Sequence, residues 1–166
     1  MEFKYCPKCS HNLKQKDIHG HTRLVCNKCG FIFYNNPKPT AGVFIVKNNK
    51  VLLAKRAVEP FKGWWDSIGG FMESGETPQE AAIRETKEET GLDIKLINIL
   101  NVGKDRYEDE HTVPIVFLAK IIGGKPKPAD DVDEIKWFSL SDLPGNIAFE
   151  SDKRTLKLIK EGVTIN

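Results

Sequence analysis

Three glutamates near the middle of the chain are spaced so that their carboxylates share one side of a helix. The segment Gly70–Leu92 reads GFMESGETPQEAAIRETKEETGL. At about 100° per residue of an α-helix, Glu85, Glu88 and Glu89 fall within roughly one third of the circumference. Like charges at this spacing cost a few tenths of a kcal/mol per pair. The cluster therefore suits a cation, and carboxylate oxygens favour Mg²⁺ or Mn²⁺. A solvated acidic helix face is the alternative interpretation.

The residues around these glutamates predict where the helix begins and ends. Thr77 is a favourable N-cap, Pro78 suits the first helical position, and Glu80 completes a capping box. Gly91 supplies the left-handed residue that commonly ends a helix. The positions expected to face a neighbouring sheet are Ala82, Ile83, Thr86 and Thr90.

The same segment resembles the signature box of the Nudix hydrolases. Gly70 is followed after five residues by Glu76, and after seven more by the run Arg84–Leu92, RETKEETGL. The one departure is Thr86, where the family usually has an aliphatic residue. The resemblance implies an α/β fold, the Nudix α/β/α sandwich with a mixed sheet, and an enzymatic function.

Nudix enzymes hydrolyse a phosphoanhydride bond in a nucleoside diphosphate linked to another group. By this resemblance, Glu85, Glu88 and Glu89 hold the divalent ions, Mg²⁺ or Mn²⁺. The backbone carbonyl of Gly70 is a further expected ligand. Arg84 belongs to the catalytic set indirectly, by pairing with neighbouring carboxylates. The proton acceptor for the attacking water is left open among these glutamates and acids from other loops, namely Glu110, Asp133 and Glu134.

Other residues near the box are candidates for binding substrate. A basic pair, Lys55 and Arg56, ends a predicted strand, where it can meet phosphate or remain solvated. One of two adjacent tryptophans is expected in the core, and the other either stacks on a nucleobase or packs against the amino-terminal segment. Glu76 is either a substrate contact or a loop residue that pairs with Arg84. The substrate-binding candidates are thus Arg56, Trp64, Trp65 and Glu76.

All four cysteines lie in the first 30 residues, with the spacing Cys-x2-Cys-x16-Cys-x2-Cys. This spacing is typical of a zinc site, and a reducing cytosol favours metal over the alternative of disulfides. We therefore expect residues 1–36 to form a small zinc ribbon and residues 37–166 the Nudix hydrolase domain. Three histidines between the cysteine pairs are expected to be loop residues. The expected zinc ligands are Cys6, Cys9, Cys26 and Cys29.

A zinc ribbon before a Nudix domain resembles the NADH pyrophosphatase and ADP-ribose pyrophosphatase branches of the family. The Ser-Gln-Pro-Trp-Pro-Phe-Pro-like stretch of the first branch is absent after the box. The implied substrate is therefore ADP-ribose-like or a dinucleotide, and the product a nucleoside monophosphate. The alternative is a zinc-ribbon protein that binds RNA or nucleotides with little or no catalysis. We expect a small nucleotide partner and do not favour nucleic acid.

The remaining elements and the composition are those of a globular domain. Apolar runs at 41–46 and 51–54 predict a β-hairpin, and further strands are expected at 64–68, 94–102, 113–122 and 134–138. A loop is expected at 103–111 and a closing helix at 151–161, capped by Ser151. The net charge of +2 does not predict binding to DNA or a membrane surface. Without an apolar span or signal peptide, we expect a cytoplasmic protein, for which a homodimer is compatible with the sequence.

Overall fold

The computed structural model describes residues 3–162. The chain divides into two compact units, and the boundary between them falls between Pro37 and Lys38. The first unit is a three-stranded antiparallel sheet of β1 (Leu13–Ile18), β2 (His21–Cys26) and β3 (Ile32–Phe33), in that order. Cys26 is the last residue of β2, and the other three cysteines lie outside the strands.

The second unit is built on a mixed sheet. Its strands are β4 (Lys38–Lys47), β5 (Lys50–Arg56), β6 (Trp65–Asp66), β7 (Ile68–Phe71), β8 (Leu92–Val102), β9 (Asp105–Tyr107), β10 (Glu110–Gly124) and β11 (Val132–Ser139). Five of them follow the order β11-β5-β4-β10-β8, while β6 pairs with β5, β7 with β4, and β9 with β10. Strand β10 runs parallel to β4, and the other pairs are antiparallel.

Both faces of this sheet are buried, because a helix packs on each. Val43 of β4 belongs to a core cluster with Ala81 and Ala82 of α1 (Pro78–Thr90). The next residue, Phe44, points to the other face and clusters with residues that include Leu156 of α2 (Glu150–Lys160). The near-continuous apolar run of β4 is thus explained by burial on two sides, and the expected α/β/α sandwich is confirmed.

Helix α1 begins and ends where the sequence predicts. The Thr77 hydroxyl accepts a hydrogen bond from the Glu80 backbone N–H (3.3 Å), and a Glu80 carboxylate oxygen accepts one from the Thr77 N–H (2.8 Å). Gly91 caps the other end with φ of 68°. The prediction that Ile83 faces the sheet was wrong, because this residue is 44% exposed. Within the described chain, neither helix is long and apolar enough to cross a membrane.

Two other expectations about elements need correction. Helix α2 begins at Glu150, and its N-cap position is Phe149, without a side-chain cap. Ser151 is not the cap; it is buried in the first turn, and its N–H donates to Asp105 Oδ1 (3.2 Å). The expected loop at 103–111 contains strand β9, which pairs with the start of β10. Long-range pairing therefore orders a segment whose local sequence is charged and loop-like.

Candidate active site

A cavity of about 260 Å³ lies in the second unit. Strand β7, both helices and the segment of β9 all contribute to its lining. Arg56 is the single lysine or arginine among the lining residues of the described chain. The acidic lining residues are Asp66, Glu73, Glu85, Glu89, Asp105, Asp130, Asp131 and Asp152. The aromatic lining residues are Phe71, Tyr107 and Phe149.

The glycines of β7 bring the backbone close to the acidic side of α1. Gly69 N–H donates to Glu89 Oε2 at 3.0 Å. Gly70 lies directly against the Glu85 carboxylate, where an added side-chain carbon would collide. Strand and helix thus deliver two carboxylates and a stretch of backbone to the same wall of the cavity.

Glu89 is a buried carboxyl group, only 7% exposed. Its burial raises its pKa well above the usual value, and the negative charges of Asp66 and Glu85 raise it further. The hydrogen bond from Gly69 opposes this shift without cancelling it. In the absence of a bound cation, this buried carboxyl group therefore holds its proton more tightly than an exposed glutamate does.

Arg84 ties the box loop to the helix. Its Nε and Nη2 donate to the two carboxylate oxygens of Glu76, at 2.6 and 2.9 Å. Its Nη1 donates to Glu85 Oε1 (2.7 Å) and to Glu88 Oε2 (2.9 Å). The bonds from Arg84, followed by the backbone N–H of Glu73, lower the pKa of Glu76 to about 2. Arg84 therefore positions carboxylates and does not line the cavity.

The cavity brings together some of the sequence-predicted site residues and leaves others outside. Glu85, Glu89, Gly70 and Arg56 line it. Glu88 does not, and its side chain is 48% exposed beside Arg84. The residues expected near the site but absent from its lining are Glu76, Trp64, Trp65, Glu110, Asp133 and Glu134.

Neither tryptophan supplies an aromatic wall to the cavity. Trp65 is buried in the core and meets the ring of Phe138 edge-on, with centroids 4.6 Å apart. Trp64 is 39% exposed and packs on Phe61, with centroids 5.4 Å apart. The rings that do line the cavity come from β7, β9 and the residue before α2.

Arg56 is held in place by a set of partners that the sequence did not predict. Its Nη1 donates to Asp66 Oδ2 (2.9 Å), and its Nε to the Pro60 carbonyl (2.7 Å). The guanidinium also lies 5.6 Å from the ring centroid of Tyr107 and 5.2 Å from that of Phe149. These partners come from separate segments, so no local spacing signals them.

A second buried acid, Asp152, lines the cavity together with Asp66. Asp152 is 3% exposed, and its Oδ2 accepts a hydrogen bond from Ser67 N–H at 2.7 Å. Burial, followed by the charge and hydrogen bond of Asp66, raises the pKa of Asp152 well above the usual value. Asp152 therefore favours its protonated form more than an exposed aspartate does.

The donor set beside α1 fits a hard divalent cation. Glu85 and Glu89 line the cavity together with Gly70, and Glu88 lies beside Arg84 on the same helix. No histidine or cysteine is among the lining residues of the described chain. Oxygen ligands of this kind suit Mg²⁺ or Mn²⁺ better than a softer metal.

The four cysteines of the first unit come together as the sequence predicts. Their Sγ atoms all lie within 4.8 Å of one another, and all four thiols are free. Backbone N–H groups of Cys29 and then Lys28 lower the pKa of the Cys26 thiol to about 6. Four sulfurs bound at about 2.3 Å from one Zn²⁺ stand at comparable separations. The cluster fits a tetrahedral zinc site.

Comparison with protein families places this geometry in a known context. A family model described as NUDIX domain matches residues 36–158. The chain belongs to the Nudix family. A second model, described as Nudix N-terminal, matches residues 4–35. The chain is thus a Nudix-type pyrophosphohydrolase with a Nudix-associated amino-terminal zinc-ribbon unit.

Individual relatives show how far the similarity extends. The chain is 44% identical over 122 residues to an ADP-ribose pyrophosphatase of Methanocaldococcus jannaschii, covering 72% of each protein. It is 31% identical over 144 residues to the NAD-capped RNA hydrolase NudC of Pseudomonas entomophila, covering 86% of this chain and 50% of that protein. The chain therefore spans about half the length of this second relative.

A solved structure supports the fold over both units. A NUDIX hydrolase from Nitrosomonas europaea superposes with a TM-score of 0.83 at 31% identity, covering 96% of this chain and 91% of that one. The similarity therefore includes the amino-terminal segment as well as the cavity-bearing unit.

Proposed function

We propose that this protein hydrolyses a phosphoanhydride bond in a nucleoside diphosphate linked to another group, releasing a nucleoside monophosphate. The substrate is ADP-ribose-like or a dinucleotide, and the reaction uses Mg²⁺ or Mn²⁺. One observation carries the proposal: Glu85, Glu89 and Gly70 line the same cavity as three aromatic rings. Carboxylates suited to a cation thus adjoin surfaces suited to a nucleoside. The similarity to an ADP-ribose pyrophosphatase supports the same substrate class.

The divalent ions have a defined place and role in this proposal. Glu85, Glu88 and Glu89, with the carbonyl of Gly70, would hold them. A divalent ion, when bound, neutralises charge on the diphosphate and polarises its oxygens. Arg84 donates hydrogen bonds to Glu76 of the box loop and to Glu85 and Glu88 of the helix, so it fixes the helix carboxylates relative to that loop.

The attacking water needs a proton acceptor, and Glu89 has the environment that suits this task. It lines the cavity together with Glu85, and the N–H of Gly69 fixes one of its oxygens. The earlier candidates Glu110, Asp133 and Glu134 do not line the cavity. Glu110 and Glu134 instead stand 3.8 Å from lysine Nζ atoms, those of Lys38 and Lys55.

The nucleoside would lie against the aromatic rings. The rings of Tyr107 and Phe149 are stacked and nearly parallel, with an interplanar angle of 18° and centroids 6.2 Å apart. Phe71 meets Tyr107 edge-on, 5.3 Å between centroids. Arg56 lies over Tyr107 and Phe149, where it can also attract a phosphate.

A substrate panel tests the proposal. Purified protein is assayed with Mg²⁺ or Mn²⁺ against ADP-ribose, NAD⁺, NADH, a nucleotide sugar, NAD-capped RNA and a sugar phosphate without a nucleoside. We expect a nucleoside monophosphate as product from at least one dinucleotide or ADP-ribose-like compound. Faster turnover of the sugar phosphate than of every nucleotide would refute the substrate class.

The site of bond cleavage is tested separately with isotope. Hydrolysis in ¹⁸O-labelled water should put the label on a phosphate of a product, because the water attacks phosphorus. Label on a sugar carbon would indicate glycosidic cleavage and would refute the mechanism. Binding of nucleotides without any product from the panel would favour the alternative, a binding protein without catalysis.

A further inference from the structure

Three basic side chains of the amino-terminal unit share one face of its small sheet. Lys14 is paired across the strands with Val25, and Lys16 with Arg23. Directly opposed residues of an antiparallel pair lie on the same face, as do residues two apart on one strand. Lys14, Lys16 and Arg23 therefore form one cationic surface, called the basic face below.

An exposed aromatic ring adjoins the basic face. Ile32 pairs with Val25, so it belongs to this face, and Tyr34 follows two residues later. The guanidinium of Arg23 lies 5.1 Å from the ring centroid of Tyr34. The tyrosine is 52% exposed. The face therefore presents a flat aromatic surface beside three positive charges.

Asp17, the one acid among residues 3–37, does not lie on the basic face. Residues 1–37 hold six lysines and arginines and two acids, Glu2 and Asp17, whereas residues 38–166 hold 19 basic and 21 acidic residues. Asp17 pairs with Thr22 and so lies on the opposite face, where its Oδ1 accepts from Gly20 N–H at 3.1 Å. Cys26 also belongs to the opposite face, since it follows Val25 on β2. The basic face thus carries three of the six lysines and arginines of residues 1–37, and Asp17 lies on the other side of the sheet.

We propose that the basic face binds single-stranded nucleic acid, with Lys14, Lys16 and Arg23 on phosphates and Tyr34 stacked on a base. Basic grooves combined with exposed aromatic rings are the usual means of binding single strands. A duplex already stacks and pairs its bases, so it leaves none free for Tyr34. The inference goes beyond the proposed hydrolysis and does not depend on it.

Binding is measured on the full chain without added Mg²⁺ or Mn²⁺, so that no turnover is involved. Fluorescence anisotropy with a labelled oligouridylate of about 12 nucleotides should show binding that weakens with salt. The variant K14Q/K16Q/R23Q should bind about tenfold or more weakly. Its plot of log affinity against log salt should be shallower by about 2, because three phosphate contacts are lost.

A matched control removes the same charge elsewhere. Lys95, Lys120 and Lys160 are exposed residues of the second unit, and K95Q/K120Q/K160Q should bind like the unaltered protein. Tyr34→Leu should weaken binding about fivefold or more with the salt slope unchanged, because stacking is not ionic. Equal weakening in the two triple variants, or no binding by the unaltered protein, would overturn the proposal.

Two further arms complete the test. A DNA duplex bound as tightly as the oligouridylate would also overturn the proposal. Equal binding of an oligothymidylate would support it and would show that the basic face contacts phosphates and bases but not the 2′-hydroxyl. Tighter binding of RNA than of single-stranded DNA would support it with an added contact to the 2′-hydroxyl. Hydrolysis of free ADP-ribose by K14Q/K16Q/R23Q should be unchanged. The proposal of nucleic-acid binding and the proposal of hydrolysis are therefore tested in separate assays.

Discussion

The carboxylate of Glu85 packs directly against the backbone of Gly70. A Cβ atom placed on Gly70 would lie 2.8 Å from Glu85 Cδ and 2.8 Å from its Oε2, closer than such atoms approach in proteins. The first glycine of the box is therefore needed for this close approach of strand and helix side chain. The contact joins the two elements that carry the proposed metal ligands.

Replacing Gly70 with alanine should displace the Glu85 carboxylate and lower kcat/KM by about 100-fold, because a shift of about 1 Å at a catalytic group has that effect. The protein should still fold, since the colliding atoms are at the end of a side chain. Steady-state kinetics with Mg²⁺ and a thermal melt measure the two effects. Gly145→Ala is the control, because a Cβ there meets nothing within 4 Å. Equal kinetics in both variants would show that the contact is irrelevant to catalysis.

Glu89→Gln should lower kcat by orders of magnitude, because it removes a negative charge and a proton acceptor from the site. Thermal stability of the metal-free protein should be unchanged or higher, since the substitution removes a charge whose burial disfavours ionisation. The control is Glu80→Gln on the same helix, which alters the capping box at Thr77 but not the cavity. Comparable loss of activity in both variants would mean that the acidic arc of α1 does not serve catalysis.

The ion pair of Glu76 with Arg84 should make stability depend on pH. The pKa of Glu76 is lowered from 4.5 to about 2 in the folded protein. The carboxylate therefore contributes stability above about pH 4.5, and this contribution is lost progressively as the pH falls towards 2. Urea unfolding of the unaltered protein and of Glu76→Gln between about pH 7 and pH 3 measures it. The difference between them should shrink on acidification, and a constant difference would contradict the assignment.

The parts of this site that the sequence predicted are those with local signals. Thr77, Glu80 and Gly91 set the ends of α1 through contacts within a few residues, so the position of its glutamates followed. The cysteine pairs likewise carry their ligand chemistry in their spacing. Both signals depend on short stretches of chain and do not require knowledge of the fold.

The aromatic lining of the cavity had no such signal. Phe71, Tyr107 and Phe149 come from three separate segments that the sheet and the start of α2 bring together. The Ser67 N–H meets the carboxylate of Asp152, 85 residues further along the chain. The sequence predicted one tryptophan in the core, where Trp65 lies, and offered the other for stacking on a base, but neither ring lines the cavity.

Zinc should be structural and separable from catalysis. Metal analysis of the full chain should give about one zinc per chain, from the four thiolates of Cys6, Cys9, Cys26 and Cys29. A disulfide between any two of them in freshly purified protein would contradict this prediction.

Removing residues 1–36 should leave a folded domain of reduced stability that still hydrolyses a free nucleotide. The physical reason is that both buried clusters that include strand β4 consist of residues beyond position 40. Solubility, a thermal melt and an assay with Mg²⁺ check the truncated protein against the full chain. Recovery of only insoluble protein would show that the two units fold as one.

The aromatic wall should determine affinity for the nucleoside rather than the chemistry. Phe149→Leu keeps an apolar side chain beside Arg56 but removes the stacking surface, so KM for a nucleoside-containing substrate should rise about fivefold or more, with kcat little changed. Trp64→Leu is the matched control, because Trp64 is 39% exposed and does not line the cavity. A substrate without a nucleoside should show no rise in KM in either variant. If Trp64→Leu raises KM for the nucleotide and Phe149→Leu does not, the base stacks on the tryptophan outside the cavity, and the aromatic wall proposed here has no part in binding.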